Sequence, residues 1–199
     1  MVTGTATNTP LPSVTPTNTP IPSDVFFDNF ESDQGWSVNS NGSDNATTEQ
    51  WERANPEQTS YSRSTYQQGT TPSGSFDLAT EGTAGSSVGV NDIDGGTTSI
   101  RSPNISLPSS GNLTLSFDYY LSHYSSSADF LRVTGVGNTS SVVLQELGAA
   151  DIDAATWATH TSNLNSFVGQ TVYILIEAAD TSGGSLVEAA VNDVCITFD

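Results

Sequence analysis

The chain has 199 residues, 22 of them acidic and only 4 basic, for a formal charge of −18. All four cations are arginines (Arg53, Arg63, Arg101 and Arg132), too few to neutralise a run of phosphates, so nucleic acid and anionic membranes are disfavoured as partners. Charged residues are only 13% of the chain. Ser, Thr, Asn and Gly must therefore supply most of the solvated surface, which suits a secreted protein that meets divalent cations or neutral sugars. Cys195 is the sole cysteine, so an intrachain disulfide and a cysteine-built zinc site are both excluded. No stretch is apolar enough to span a membrane and no export signal follows Met1, so the chain is expected to be part of a longer exported protein.

Residues 1–23 carry a near-repeat, Thr5-Ala-Thr-Asn-Thr-Pro-Leu-Pro-Ser13 followed by Thr15-Pro-Thr-Asn-Thr-Pro-Ile-Pro-Ser23. Proline and threonine in this density favour extended polyproline-II geometry and bury nothing. At about 3.1 Å per residue, such a linker or arm would hold its domain roughly 60–70 Å from a neighbour. The folded domain is expected over 24–199. Its punctuation by Gly, Ser, Asn and Asp, with no long helical period, predicts an all-β chain.

Gly35-Trp36 and Trp51-Glu52-Arg53 each predict a strand start, and Asn55–Ser75 reads as a long polar loop covering one end of the domain. The clearest strand is Asn112–Ser122, with Leu113, Leu115, Phe117, Tyr119 and Leu121 on one face. Strands follow over Asp129–Val136, Ser141–Leu147, Thr156–Leu164 and Gln170–Ala179. No crossover helices separate them, so an antiparallel two-sheet jelly-roll sandwich is predicted. The last strand carries apolar residues at 187, 189 and 191, then at 194, 196 and 198. That slip in a period of two requires a β-bulge at Asn192-Asp193, unless the strand is buried on both faces. A bulge there would aim a carboxylate at the sheet rim, and Phe26-Phe27-Asp28-Asn29-Phe30-Glu31 is the segment expected to complete a site for a hard cation.

Taken in order, these landmarks resemble the MAM domain and its relatives among the jelly-roll accessory domains of secreted bacterial peptidases and polysaccharide-degrading enzymes. The matching residues are Phe30-Glu31 before Gly35-Trp36, then Trp51-Glu52-Arg53, Gly82, Asp92-Ile-Asp-Gly-Gly96, Ile100-Arg-Ser-Pro103, Ser116-Phe-Asp-Tyr-Tyr120 and Val187-Glu-Ala-Ala-Val-Asn-Asp-Val194. The resemblance implies that the first and last strands lie together around a calcium ion. It carries the metal ligands over to Glu31 and Asp193, with Asp28, Asp92 and Asp94 beside them, and places Trp36 and Trp51 inside. Asn192 stands where relatives carry a further Asp, and the disulfides of animal MAM domains are missing.

Other motifs have bland readings beside functional ones. Asn91-Asp92-Ile93-Asp94-Gly95-Gly96 reads equally as a calcium loop or an Asp-Gly hairpin turn, while an EF-hand is ruled out because the twelfth position is Pro103. Gly85-Ser86-Ser87-Val88-Gly89 matches the nucleophile elbow without its strand and helix. His123 and His160 are the only candidate bases, and paired carboxylates such as Asp151 and Asp153 suit a glycosidase in principle, though alternate carboxylates in a polar loop are more often solvated or cap a short turn. Sugar stacking is expected at Tyr120, with Asp118 on the same polar face and Arg132 on a neighbouring strand. Tyr61, Tyr66 and Trp157 are further candidates. The expected function is a non-catalytic, extracellular calcium-binding module that holds glycan or cell-surface material. The alternative is a structural subunit of a surface or filament assembly, joined to neighbouring subunits through its N-terminal arm; a hydrolase is the remaining reading.

Overall fold

The computed structural model describes residues 23–124, 127–148, 152–181 and 185–199, so the arm expected over 1–23 lies outside them except for Ser23. In chain order the strands are β1 (Ser23–Asp28), β2 (Ser37–Val38), β3 (Glu52–Ala54), β4 (Thr59–Tyr61), β5 (Ser64–Gln67), β6 (Asp77–Ala79), β7 (Gly96–Arg101) and β8 (Ile105–Ser106). The second half adds β9 (Leu113–Tyr124), β10 (Phe130–Val136), β11 (Ser140–Leu147), β12 (Ile152–Asp153), β13 (Ala158–Asn163), β14 (Thr171–Asp180) and β15 (Leu186–Phe198). One sheet runs β12-β9-β15-β6-β3, with β1 also on β15 and β13 also on β9. The other runs β11-β10-β14-β7-β2, with β8 also on β14. We call them the first and second sheet. All pairings are antiparallel, and the two sheets pack as the expected sandwich.

Alternation decides what lies between the sheets. From the first sheet, Leu113, Leu115, Phe117 and Leu121 of β9 and Val187, Val191, Val194 and Ile196 of β15 face inward. Val172, Ile174 and Ile176 of β14, with Leu131 and Val133 of β10, meet them from the second. Each such side chain contributes about 1.5–3 kcal/mol when removed from water. Trp51 is buried as expected, its indole N–H donating to the Thr98 carbonyl. Trp36 departs from expectation. It is only half-buried, because the strand it introduces is two residues long and leaves the sheet edge open beside it.

The phase slip in β15 is a bulge, and it falls where the period placed it. Asn192 pairs with Asp118 and Cys195 with Ser116, so three steps on β15 oppose two on β9. Asp193 takes the left-handed backbone region at φ +50°, which relieves the extra residue and returns Val194 to the core. Before the bulge the free side of β15 pairs with β6 through Ala190 and Val191; after it, with β1 through Val194–Phe198. The bulge is thus the point at which β15 changes partner.

The stretch 55–75 is not a plain loop over one end. It contains the hairpin β4–β5, whose Ser62 and Arg63 adopt φ of +48° and +78° at the turn. The stretch lies across the outer face of the first sheet as a second layer: the Gln68 N–H donates to the Tyr120 hydroxyl, and the Trp157 indole N–H to the Thr70 carbonyl.

Candidate functional site

Three chain segments meet at the β15 bulge: the turn after β1, the loop before β6, and Asp193 itself. Glu31 accepts both the Ser75 and Phe76 backbone N–H groups on Oε1, at 2.6 and 2.9 Å. Those two bonds hold its pKa below the ordinary glutamate value, with the Arg53 charge adding to them. Asp193 Oδ1 accepts the Ser73 hydroxyl at 2.6 Å. The Glu31 carboxylate presses so close to Gly74 (φ +69°) that a Cβ there would collide with it, so this position needs glycine. Glu31 and Asp193, expected together, therefore flank one short loop. Asp28 sits differently: its Oδ1 accepts the Phe30 N–H and its Oδ2 the Trp36 indole N–H, while burial pushes its pKa upward.

Asp92 and Asp94 lie elsewhere. Asp92 Oδ2 accepts the Val187 N–H, and burial, then the Asp94 charge, raises its pKa to about 6. The Asp94 carbonyl accepts from Thr47, and the Gly95 N–H donates to Asp180. This turn carries the chain from the first sheet to the second, so it is not a hairpin between paired strands. Among the described residues, no three Asp, Glu, His or Cys side chains stand close enough together to hold a metal. At the bulge, Glu31 and Asp193 bring two carboxylates to one loop, and Glu31 Oε1 and Asp193 Oδ1 already accept hydrogen bonds from it.

The aromatic candidates separate by face. Tyr120 does lie on the polar side of β9, but that side is covered: Tyr120 is 2% exposed and Tyr66 1%. Trp157 packs edge-on against Tyr120 at 4.8 Å. The expectation that Tyr120 and Tyr66 offer open stacking surfaces is corrected by the second layer above them. Asp118 is half-buried and accepts the Thr159 hydroxyl, and Tyr61 is exposed at the hairpin turn. Beneath the same layer Asp77 is fully buried with no hydrogen-bond partner on either carboxylate oxygen, and desolvation raises its pKa to about 7. Glu188, also buried there, is pushed well above its usual value by burial and then by the Asp92 charge.

Arg132 belongs to the other outer face. Register places Ser99, Glu177, Arg132 and Gln145 in one row across β7, β14, β10 and β11, with Arg101, Leu175 and Thr134 in the next. Arg132 Nε donates to Glu177 at 2.8 Å and its guanidinium lies 4.8 Å from the Phe130 ring centre. Arg101 lies 4.0 Å over Tyr173 and donates to Asn104 Oδ1 at 2.7 Å. Half the cations of a strongly acidic chain thus stand on this one face, each over an aromatic ring. Such pairs offer an apolar surface beside fixed donors. Of these residues the sequence reading nominated Arg132 alone. The scarcity of arginine was the available signal for Arg101, but its pairing with Tyr173 needed the register.

The enzymatic motifs find no support in their surroundings. The residues 85–89 form turns with no helix after them. His123 is buried, and His160 packs against Phe117 at 5.3 Å between ring centres. Asp151 lies outside the described residues.

The chain matches no protein-family model and no curated protein. Among solved structures it is similar to the K1 cleaved adhesin domain of Lys-gingipain from Porphyromonas gingivalis W83, with a TM-score of 0.54 and 16% identity over 87% of this chain and 98% of that one. The K3 cleaved adhesin domain of the same protein gives 0.50 at 17% identity, covering 88% and 98%. The carbohydrate-binding module TmCBM61, solved in complex with β-1,4-galactotriose, gives 0.49 at 11% identity, covering 82% and 88%. The chain therefore shares the fold of the two adhesin domains, while no family model supports the MAM resemblance.

Proposed function

We propose that this chain is a non-catalytic extracellular module that binds neutral glycans on the outer face of its second sheet. The observation that carries the reading is the pair of arginines laid on Tyr173 and Phe130 on that face. A sugar ring presents an apolar face for stacking and hydroxyls for donors and acceptors at its edge, and Arg101, Arg132, Glu177 and Gln145 supply both kinds of polar partner. That two of the structurally similar domains are adhesin domains and a third was solved with a galactotriose is consistent with this use of the fold.

In the same proposal, calcium is held at the bulge by Glu31 and Asp193, with Asp28 behind them orienting the turn. A bound divalent cation would supply positive charge that ties the β1 turn, the loop before β6 and β15 together. The chain's own residues prepare that junction: Arg53 donates to the Phe30 and Glu31 carbonyls and stacks on Phe76 at 4.0 Å, fixing the turn that carries Glu31.

The test is retention on insoluble polysaccharides and on a glycan array, comparing the whole chain with Tyr173→Ala and Arg132→Ala. Binding that falls about tenfold or more in each variant, at unchanged melting temperature, supports the face. Binding indifferent to both substitutions, or none at all, overturns it.

A further inference from the structure

The sandwich is unclosed along one side. There β2 and β3, the edge strands of the two sheets, are two and three residues long and are not hydrogen-bonded to each other. Between them opens a slot of about 330 Å³. Its floor is apolar, built from Phe30, Trp51, Leu78 and Ile100, all nearly buried. Its side wall is Trp36, and Ser32, Asp33 and Gln34 bring a hydroxyl, a carboxylate and an amide to the lip.

Trp36 is held in place before any ligand arrives. Its indole N–H donates to Asp28 Oδ2 at 2.8 Å, and its ring meets Phe30 edge-on with centres 5.6 Å apart. A half-buried aromatic locked on two sides gives up little freedom on binding, so its remaining face is an efficient stacking surface. The volume lies at the small end of ligand pockets, about 300–1,000 Å³, and suits one ring instead of a chain. The lip decides the charge. Asp33 and Glu52 repel anions, while the cation in the lining, Arg53, is already bonded to two backbone carbonyls and stacked on Phe76. A plain hydrocarbon would match the floor but make no use of the exposed polar lip, where Asp33 Oδ1 accepts the Gly35 N–H and the Gln34 amide donates to the Phe27 carbonyl, each with hydrogen-bonding capacity to spare. A neutral ring with one apolar face and a hydroxylated edge satisfies wall and lip together.

The slot also adjoins the open sheet face. Successive residues of β2 point to opposite sides: Ser37 pairs beside Arg101 on the outer face, and Val38 lines the slot. We infer that the slot between β2 and β3 holds the terminal pyranose ring of a neutral glycan whose following residues lie across the second sheet. The inference rests on the glycan reading above, and it adds that the module recognises chain ends.

The test follows the three tryptophan indole N–H resonances by nitrogen-15 NMR of the whole chain, with Trp36 assigned through Trp36→Phe. The probes are galactose, glucose, mannose and xylose, then linear and cyclic oligosaccharides of one linkage. At least one neutral monosaccharide is expected to move the Trp36 resonance saturably, and the linear oligosaccharide to bind more tightly than its cyclic counterpart, which has no end. Ser32→Ala and Gln34→Ala keep the ring and should each weaken the response by about three- to tenfold, so the proposal does not depend on a substitution that disturbs the core. The inference is overturned if no sugar moves Trp36, if tetramethylammonium moves it instead, or if the lip variants respond as the wild type does. Failure of the sheet-face reading has a different signature: Tyr173→Ala would leave oligosaccharide affinity unchanged while the Trp36 response persists.

Discussion

The two outer faces of the sandwich are built from the same alternating pattern yet end in opposite states. On the second sheet, Arg132, Glu177 and Gln145 stay accessible, and Val142 and Leu147 at its edge are 54% and 61% exposed. On the first sheet, Asp77, Glu188, Asn192 and Tyr120 point outward from their strands and are all buried, because residues 55–76 and 153–157 form another layer over them. Residues that a strand turns away from the core become surface only if nothing covers that side. The covered face holds carboxyls whose ionisation burial disfavours, and the open face keeps its polar groups solvated and available.

This contrast predicts different responses to matched substitutions. Tyr120→Ala should cost about 3–4 kcal/mol in denaturant unfolding, because it opens a cavity between Trp157, Ala79 and Ala190. Tyr173→Ala on the open face should cost less than about 1 kcal/mol and act on ligand retention instead. Equal costs for the two would break the comparison.

The next effect is set by pH. Asp77 keeps its proton up to about pH 7 in the fold, against an ordinary value of 3.8. The folded chain therefore binds more protons between those values. Its stability is full below the lower one, falls as pH rises through the window, and levels off above about 7. Asp92, raised to about 6, and Glu49, raised to about 7 by desolvation and the neighbouring Glu81, push the same way. Urea unfolding at a series of pH values should show the protein most stable in mild acid. Asp77→Asn should recover up to roughly 4 kcal/mol at pH 8 while changing little at pH 4. A stability that rises between pH 5 and 8 would contradict the buried, unpartnered carboxylate.

The calcium proposal predicts a smaller shift. In a chelator-stripped sample, adding calcium to about ten times its dissociation constant should stabilise the fold by about 1.4 kcal/mol. Glu31→Gln should lose that increment. Asp193→Gly should lose it too, although glycine relaxes the positive φ. Calorimetry without a calcium signal would remove the metal from the account of the bulge. Smallest of all, Arg132→Ala should change stability by no more than about 1 kcal/mol, since its ion pair with Glu177 is partly solvated. Its effect should appear in glycan retention.

How much was legible in advance varies with the range of the interaction involved. The period of two marked β9 and β14 nearly to the residue, and a one-residue slip in that period located the bulge in β15. These are properties of neighbours in sequence, because a strand that keeps one side on a core has no freedom in its phase. The composition, with few arginines and no lysine, likewise fixed which partners the charge disfavours. Tertiary structure alone decided that Tyr120 is covered while Arg132 is open, that Glu31 and Asp193 grip one loop while Asp92 and Asp94 stand apart, and that Trp36 walls a slot. Alternation names the side of a strand on which a residue lies. Whether that side meets solvent, a second layer or the gap between two sheet edges depends on segments tens of residues away, whose placement is set by register and packing.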